Sequence, residues 1–246
     1  MPRVPRCLTA AALAALASAP LSAQLVRIGP GAFTASAPTI TFSEQPLNTV
    51  NPVYTFTGVQ DLGTITVSFA GAVTGQMVTG SSVRTLTGNP SGPLSLNTSV
   101  LTTITTDGAQ PTSPILSGDP TFNGPIVMLF SQPVAAVALD GGYFNAIGAT
   151  SITGYRADGS VLGSFVNSQI GIETYGFADA SGANVISGLA FYITGNEPFG
   201  FDIDNVRFGS RSVVVGIAPE PSTIALFAAG VLALGAATRR RRTRAS

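Results

Sequence analysis

The sequence predicts an all-β protein built around a single sandwich or jelly-roll-like domain. Short runs of β-branched and aromatic residues recur along the chain, and Gly, Pro, Ser, Thr and Asn separate them every several residues. No window of about 11 to 18 residues within 24–218 carries the apolar stripe of an amphipathic helix. Many short strands joined by frequent turns are typical of two packed antiparallel sheets.

The N-terminus predicts a secretory signal peptide over residues 1–23. Arg3 and Arg6 supply a positive start, an Ala- and Leu-rich run follows over 8–19, and small residues at 21–23 suit cleavage. The alternative is a membrane anchor, but the apolar run is too short to span a bilayer. The sequence therefore indicates export of the chain.

Composition narrows the chemistry of the exported part, residues 24–218, whose length suits one all-β domain. This part contains no Lys, His or Cys, since the single cysteine, Cys7, lies in the signal peptide. Five arginines stand against eleven acids, a net charge of −6, so nucleic acid is not an expected partner. Nucleophile systems that need His, Cys or Lys are excluded, and so are the common zinc sites.

The predicted strands follow one another along the exported part. In the run 64–69, the apolar residues Ile65, Val67 and Phe69 alternate with hydroxyl residues, so the three apolar side chains should face the core. The run 126–130 is apolar on both faces, as in a central strand. The other segments interpreted as strands are 53–57, 100–105, 134–139, 155–162 (a hairpin), 189–194 and 201–208.

Turns and loops are predicted from Pro, Gly and Asp. Pro133 should end the strand that begins at Ile126, because proline cannot donate to a ladder. The Ser/Thr-rich segment 95–113 predicts a long solvated loop around one short strand. Each of three Asp-Gly sites should form a turn, since glycine adopts positive φ at little cost; they are Asp107-Gly108, Asp140-Gly141-Gly142 and Asp158-Gly159.

In the last predicted strand, 201–208, the apolar residues switch from odd-numbered to even-numbered positions. Phe201 and Ile203 share one parity, whereas Val206 and Phe208 share the other. A β-bulge near Asp204-Asn205 would bring all four apolar side chains to one face. The stretch 200–208 resembles the closing strand of jelly-roll domains similar to carbohydrate-binding modules and lectin-like sandwiches, a resemblance that implies a fold and no ligand.

Asp202 and Asp204 are the main candidates for chemistry. Two residues apart on a strand, their side chains leave on one face with a spacing of about 6.6 Å. Three interpretations stay open: a carboxylate pair of a glycoside-active enzyme, a calcium site completed by Asn205, or ordinary solvent-facing alternation. Calcium is the one metal that this composition favours, because hard cations take carboxylate and carbonyl oxygens.

Aromatic residues offer a second route to function, through contact with sugars. The chain has no Trp. The candidates for stacking against a sugar ring are Tyr143, Phe144, Tyr175, Phe177 and Tyr192. Ice binding is disfavoured, because Thr pairs such as the one at 64–66 do not recur with a fixed period.

The C-terminus predicts a sorting and anchoring segment over residues 219–246. Pro221 begins an uncharged run of 18 residues that ends at Thr238, and a helix of that length spans roughly 27 Å. A transmembrane helix is therefore expected over about 222–238. The alternative is a buried helix with a basic tail. The cluster that follows should stay on the cytoplasmic side of the inner membrane; it comprises Arg239, Arg240, Arg241, Arg242 and Arg244.

The order of these elements resembles a known family. Pro219, Glu220 and Pro221, then an apolar helix, then an arginine cluster are similar to the PEP-CTERM sorting segment of Gram-negative bacterial envelope proteins. The same segment is also known as an ice-binding-protein C-terminal domain. The resemblance implies that an inner-membrane exosortase recognises this motif and processes the chain there. The released body would then reach the cell surface or extracellular matrix, in the context of exopolysaccharide and biofilm.

Together these features predict a non-enzymatic structural or exopolysaccharide-associated protein, without a cofactor unless calcium binds. Two alternatives remain, a surface protein that binds carbohydrate and a carboxylate-dependent glycoside-active enzyme.

Overall fold

A computed structural model describes residues 25–215 of the protein. The predicted signal peptide, 1–23, and the predicted sorting segment, 219–246, lie outside the described residues. Within 25–215 no helix has the length and apolar character needed to cross a membrane.

The described chain forms fifteen strands and two short 3-10 turns, at Pro30–Ala32 and Arg211–Val213. In chain order the strands are β1 (Leu25–Ile28), β2 (Thr39–Ile40), β3 (Val53–Val59), β4 (Gly63–Ala70), β5 (Met77–Thr79), β6 (Thr85–Thr87), β7 (Thr102–Thr105), β8 (Ile115–Gly118), β9 (Ile126–Val134), β10 (Ala136–Phe144), β11 (Thr150–Tyr155), β12 (Val161–Val166), β13 (Gly171–Asp179), β14 (Ile186–Ile193) and β15 (Asp202–Gly209).

Two antiparallel sheets and one small ribbon account for all of these strands. The first sheet has the order β1-β13-β10-β15-β8-β7, and β2 also pairs with β15. The second sheet has the order β12-β11-β14-β9-β4-β3, and β5 pairs with β6 in the ribbon. The expected all-β, sandwich-like architecture is thus confirmed.

The core lies between the two sheets, where their inward-facing side chains meet. Ile65, Val67 and Phe69 of β4 are buried there, as the alternation in the sequence predicted. The ring of Phe130 on β9 lies 5.3 Å from the ring of Phe208 on β15, so aromatic contacts join one sheet to the other.

Strand β9 differs from the prediction, because it does not end at Pro133. It runs to Val134, and the chain crosses from the second sheet to the first at Ala135. Pairing of β9 with β14 shifts between Leu129 and Val134. Pro133 lies in that irregular stretch, where the ladder does not need its missing N–H.

The Asp-Gly turns were predicted with mixed success. Asp158-Gly159 closes the β11–β12 hairpin, with Gly159 at a φ of 84°. The carboxylate of Asp107 accepts a hydrogen bond from the N–H of Ala109 in a turn, as expected. Residues 140–142, however, lie inside β10, which pairs with β13 on one side and with β15 on the other. The prediction of a turn there was wrong.

Strands β10 and β15 run side by side from one end of the sandwich to the other. Ala136 pairs with Gly209 at the first end, and Gly142 pairs with Asp202 about 20 Å away at the second end. At the first end the last described residues return to the N-terminal segment through a bridge between Phe33 and Val214. The second end carries the loops that form the site described next.

Candidate binding cleft

Four loops meet at the second end of the sandwich and enclose an open cleft of about 360 Å³. They connect β7 to β8, β8 to β9, β10 to β11, and β14 to β15. Its main lining residues are Asp107, Phe122, Tyr143, Asn145, Phe199 and Phe201. The volume is within the range of small-molecule sites, and the lining combines aromatic rings with a few polar groups.

Two of the lining rings are exposed to solvent. Phe199 is 76% exposed and Tyr143 is 49% exposed. They are the only exposed aromatic side chains among residues 25–215. Nearby, the side-chain amide of Asn145 is exposed and makes no hydrogen bond within the described chain. The cleft therefore presents flat apolar surfaces next to a polar group that is available to a ligand.

A buried carboxylate connects the loop that carries Phe199 to the loop that follows Tyr143 at the end of β10. Glu197 lies in the β14–β15 loop and is only 1% exposed. It accepts hydrogen bonds from the backbone N–H groups of Asn145 at 2.8 Å and Ala146 at 3.4 Å. Burial raises the pKa of Glu197 above its ordinary value, while the two N–H donors oppose the shift. Glu197 thus connects the loop of Phe199 to the β10–β11 loop, which begins two residues after Tyr143.

The β8–β9 loop is fixed to the start of β15. The backbone N–H of Phe122 donates to the hydroxyl of Ser117 at 2.6 Å, and the carbonyl of Phe122 accepts from the N–H of Phe201 at 2.7 Å. Gly200 adopts a φ of 78°, and a Cβ there would collide with the backbone of Phe122. Glycine is therefore required where these two loops touch.

The β7–β8 loop covers the outer face of β15, where Asp202 and Asp204 lie. The side-chain amide of Gln110 donates to Asp202 Oδ1 at 2.8 Å, and Thr112 Oγ1 donates to Asp204 Oδ2. Asn205 donates from Nδ2 to Asp140 Oδ2 at 2.9 Å. This segment was predicted to be a solvated loop, but it buries Gln110 and closes over two carboxyl groups.

Burial determines the protonation of both carboxyl groups. The pKa of Asp202 is raised to about 8, mainly by burial and in part by the neighbouring Asp107 carboxyl, although the bond from Gln110 opposes the shift. Asp202 Oδ2 is buried and receives no hydrogen bond from a described group, so nothing at that oxygen offsets the cost of a negative charge. Burial also raises the pKa of Asp204 to about 6, against the hydrogen bond from Thr112.

The interpretation of Asp202 and Asp204 as solvent-facing was wrong, because both are fully buried. The predicted bulge is present, since pairing with β10 shifts between Asp204 and Arg207, and Asn205 has a φ of 49°. Within 25–215 no group of three or more His, Cys, Asp or Glu side chains is arranged to hold a metal ion. A calcium site at Asp202, Asp204 and Asn205 stays a prediction.

Most of the aromatic candidates belong to the core. Phe144, Tyr175 and Phe177 are at most 1% exposed, so they cannot contact a sugar. Tyr192 is half-buried and lies within hydrogen-bond distance of Thr153. Of the five candidates, only Tyr143 lines the cleft.

The sequence analysis missed Phe199, the most exposed aromatic residue of the described chain. A signal was present, because Phe199 stands in the loop between Gly195 and Gly200 and takes part in no alternating run. The alternation of apolar residues assigns core positions only within predicted strands, and Phe199 lies outside all of them. The sequence could have marked it as a surface candidate on that ground.

Comparisons with known proteins match the tail to a sorting motif and show a solved structure that is similar to the body at low identity. The family model described as "PEP-CTERM protein-sorting motif" matches residues 218–242. A comparison with curated protein sequences gave no significant match. One similar solved structure is the family 11 carbohydrate-binding module of the cellulosomal cellulase Lic26A-Cel5E of Clostridium thermocellum, at 16% identity. The match covers 71% of this chain and 94% of that one, with a TM-score of 0.26.

Proposed function

We propose that this chain, which carries a PEP-CTERM sorting motif, is a non-enzymatic envelope or extracellular-matrix protein released at the cell surface by an exosortase. The observation that carries the proposal is the motif match at 218–242, which marks an exported, exosortase-sorted protein. The matched segment comes shortly after the acidic β-sandwich in the sequence. In this proposal residues 1–23 direct export, 222–238 span the inner membrane, and the arginine cluster at 239–244 stays cytoplasmic.

The placement of the carboxyl groups supports a non-enzymatic body. Asp202 and Asp204 formed the one pair that the sequence offered for glycoside hydrolysis. Both are fully buried under the β7–β8 loop, and Asp202 is kept protonated at neutral pH by burial and by Asp107. A polysaccharide cannot reach either carboxyl in this arrangement. A hydrolysis assay with Asp202→Asn and Asp204→Asn variants tests the point, and activity lost in both would support an enzyme instead.

The fate of the tail tests the sorting role. The full chain is expressed in an exosortase-containing host, and the C-terminus of the recovered protein is determined by mass spectrometry. We expect surface material that ends near Pro219. A Glu220→Ala variant should retain its tail in the membrane fraction, whereas the control Glu44→Ala should be processed normally, because Glu44 lies in the exposed part of the body. Full-length protein in the cytosol with both ends intact would contradict the proposal.

A second candidate function is binding to envelope polysaccharide. It is favoured by the cleft, where the two exposed aromatic rings, Phe199 and Tyr143, stand beside the unpaired amide of Asn145. Pull-down with the cell's own exopolysaccharide distinguishes a binding role from a purely structural one.

A further inference from the structure

We infer that the cleft lined by Phe199 and Tyr143 binds an uncharged glycan chain, by stacking of pyranose rings on the two aromatic side chains. The inference deepens the proposed surface function and rests on it for the protein's access to polysaccharide. The two exposed aromatic residues of the described chain both line this one cleft, although Phe199 lies in the β14–β15 loop and Tyr143 lies near the end of β10. Large apolar side chains gathered at the surface indicate an interaction site.

The cleft is preorganised, which lowers the cost of binding. Glu197, in the same loop as Phe199, holds the β10–β11 loop that follows Tyr143 through two backbone N–H groups. Gln110, which is 4% exposed, holds the β7–β8 loop on Asp202. Because buried hydrogen bonds fix the loops before a ligand arrives, little conformational entropy is lost on binding.

The mixture of groups matches the chemistry of a sugar ring. A pyranose has faces of C–H groups, which pack on an aromatic ring, and a rim of hydroxyl groups, which need hydrogen-bond partners. Phe199 and Tyr143 supply the ring faces. Asn145 supplies an unpaired amide, which can both donate to and accept from hydroxyl groups, and the Asp107 carboxyl at the cleft wall is an acceptor.

Charge selects against anionic glycans. No arginine lines the cleft, whereas Asp107 does, and Glu197 is close behind the wall. Arg84, which lies near the β8–β9 loop, is paired with Asp119 at 2.9 Å. Residues 25–215 as a whole contain eleven acids and five arginines. A uronate- or sulfate-bearing chain would therefore be repelled, and an uncharged chain would not.

Affinity electrophoresis in native gels tests the inference. The full chain is purified in lauryldimethylamine oxide, a detergent without a sugar headgroup, and run in gels that contain hydroxyethylcellulose, galactomannan or alginate. We expect retardation by at least one of the two uncharged polymers and none by alginate. Phe199→Ala and Tyr143→Ala should each weaken the apparent affinity about tenfold or more, as truncation of an aromatic anchor does.

Two controls keep the result interpretable. Met77→Ala removes a side chain of comparable exposure, 65%, from the β5–β6 ribbon and should leave retardation unchanged. Phe199→Tyr keeps the ring and should preserve binding even if Phe199→Ala folds poorly.

Three results would overturn the inference: no retardation by either uncharged polymer, retardation by alginate alone, or equal binding by Phe199→Ala and the unmodified chain. Loss of self-association in Phe199→Ala, measured by sedimentation, would instead assign the cleft to a second copy of the chain. The assay uses purified protein, so its failure is independent of how the tail is processed, and either proposal can fail alone.

Discussion

The two faces of β15 are both buried, but by opposite means. The inner face packs Ile203, Val206 and Phe208 into the apolar core between the sheets. The outer face buries Asp202 and Asp204 under a loop, through hydrogen bonds from side chains distant in sequence. Apolar burial is insensitive to pH, whereas burial of an ionisable group couples folding to proton binding. The contribution of the inner face of β15 to stability should therefore not depend on pH, whereas that of the outer face should.

Truncation on the inner face should have the largest effect. The ring of Phe208 packs against Phe56 at 5.4 Å and Phe130 at 5.3 Å. Phe208→Ala removes these contacts and leaves a cavity, so the free energy of unfolding should fall by about 3–5 kcal/mol at any pH. Urea denaturation at pH 5 and pH 8 measures it, with Met77→Ala as the exposed control. A loss that differed strongly between the two pH values would contradict a purely apolar role.

Asp202→Asn should give the next largest effect, and one that depends on pH. The pKa of Asp202 is raised from 3.8 to about 8, so above pH 4 the unfolded chain releases a proton that the folded chain keeps. The stability of the unmodified chain therefore falls as pH rises from about 4 to about 8. Asparagine cannot ionise, and its amide can donate to Asp107. The variant should match the unmodified chain near pH 4 and exceed it at pH 8, by on the order of 3 kcal/mol.

A matched control separates burial from simple loss of charge. Asp119→Asn changes an exposed carboxyl on the β8–β9 loop and should not produce this gain. If both asparagine variants changed stability equally at pH 8, the burial of Asp202 would not be the cause.

Thr112→Val tests the second buried carboxyl and should have a smaller effect. The variant removes the hydroxyl that donates to Asp204 and leaves one carboxylate oxygen without that donor. The pKa of Asp204 is raised to about 6, so the group is charged at pH 8 and largely neutral at pH 5. We expect a loss of about 1–3 kcal/mol at pH 8 and less at pH 5, by urea denaturation. Thr105→Val, a half-buried threonine on β7 with no side-chain hydrogen bond in the described chain, is the control.

The smallest effect is expected at an exposed ion pair. Arg84 and Asp119 are 2.9 Å apart, but their side chains are 34% and 52% exposed. Arg84→Ala should therefore change the free energy of unfolding by less than about 1 kcal/mol, and added salt should remove part of the difference. A loss as large as that of Thr112→Val would show that solvent screening does not explain the contrast between buried and exposed charges.

The sequence predicted the inner face of the sandwich well, because apolar alternation is local. The pattern placed Ile65 and Val67 in the core, and the parity change in β15 required the bulge at Asn205. It failed at Pro133, since the shift in pairing that accommodates a proline depends on the neighbouring strand. Local propensity contains no such information.

The outer face and the cleft were harder to predict, for a different reason. Asp202 and Asp204 look like solvent-facing residues until the segment 92 positions earlier closes over them. The residues that line the cleft are spread along the chain from Asp107 to Phe201, so no single segment reveals it. Tyr143 stands out by residue type alone, whereas Phe199 belongs to no strand-like pattern that would draw attention to it.

The C-terminal end of the described chain and the cleft lie at opposite ends of the sandwich. The tail leaves the body beyond Val215, at the end where Val214 bridges to Phe33, and the cleft occupies the end where Gly142 pairs with Asp202. Until an exosortase releases the body, attachment through the tail would leave the cleft at the end of the sandwich that is far from Val215. In the proposed sorting pathway, the cleft would thus stay open to a glycan both before and after the tail is removed.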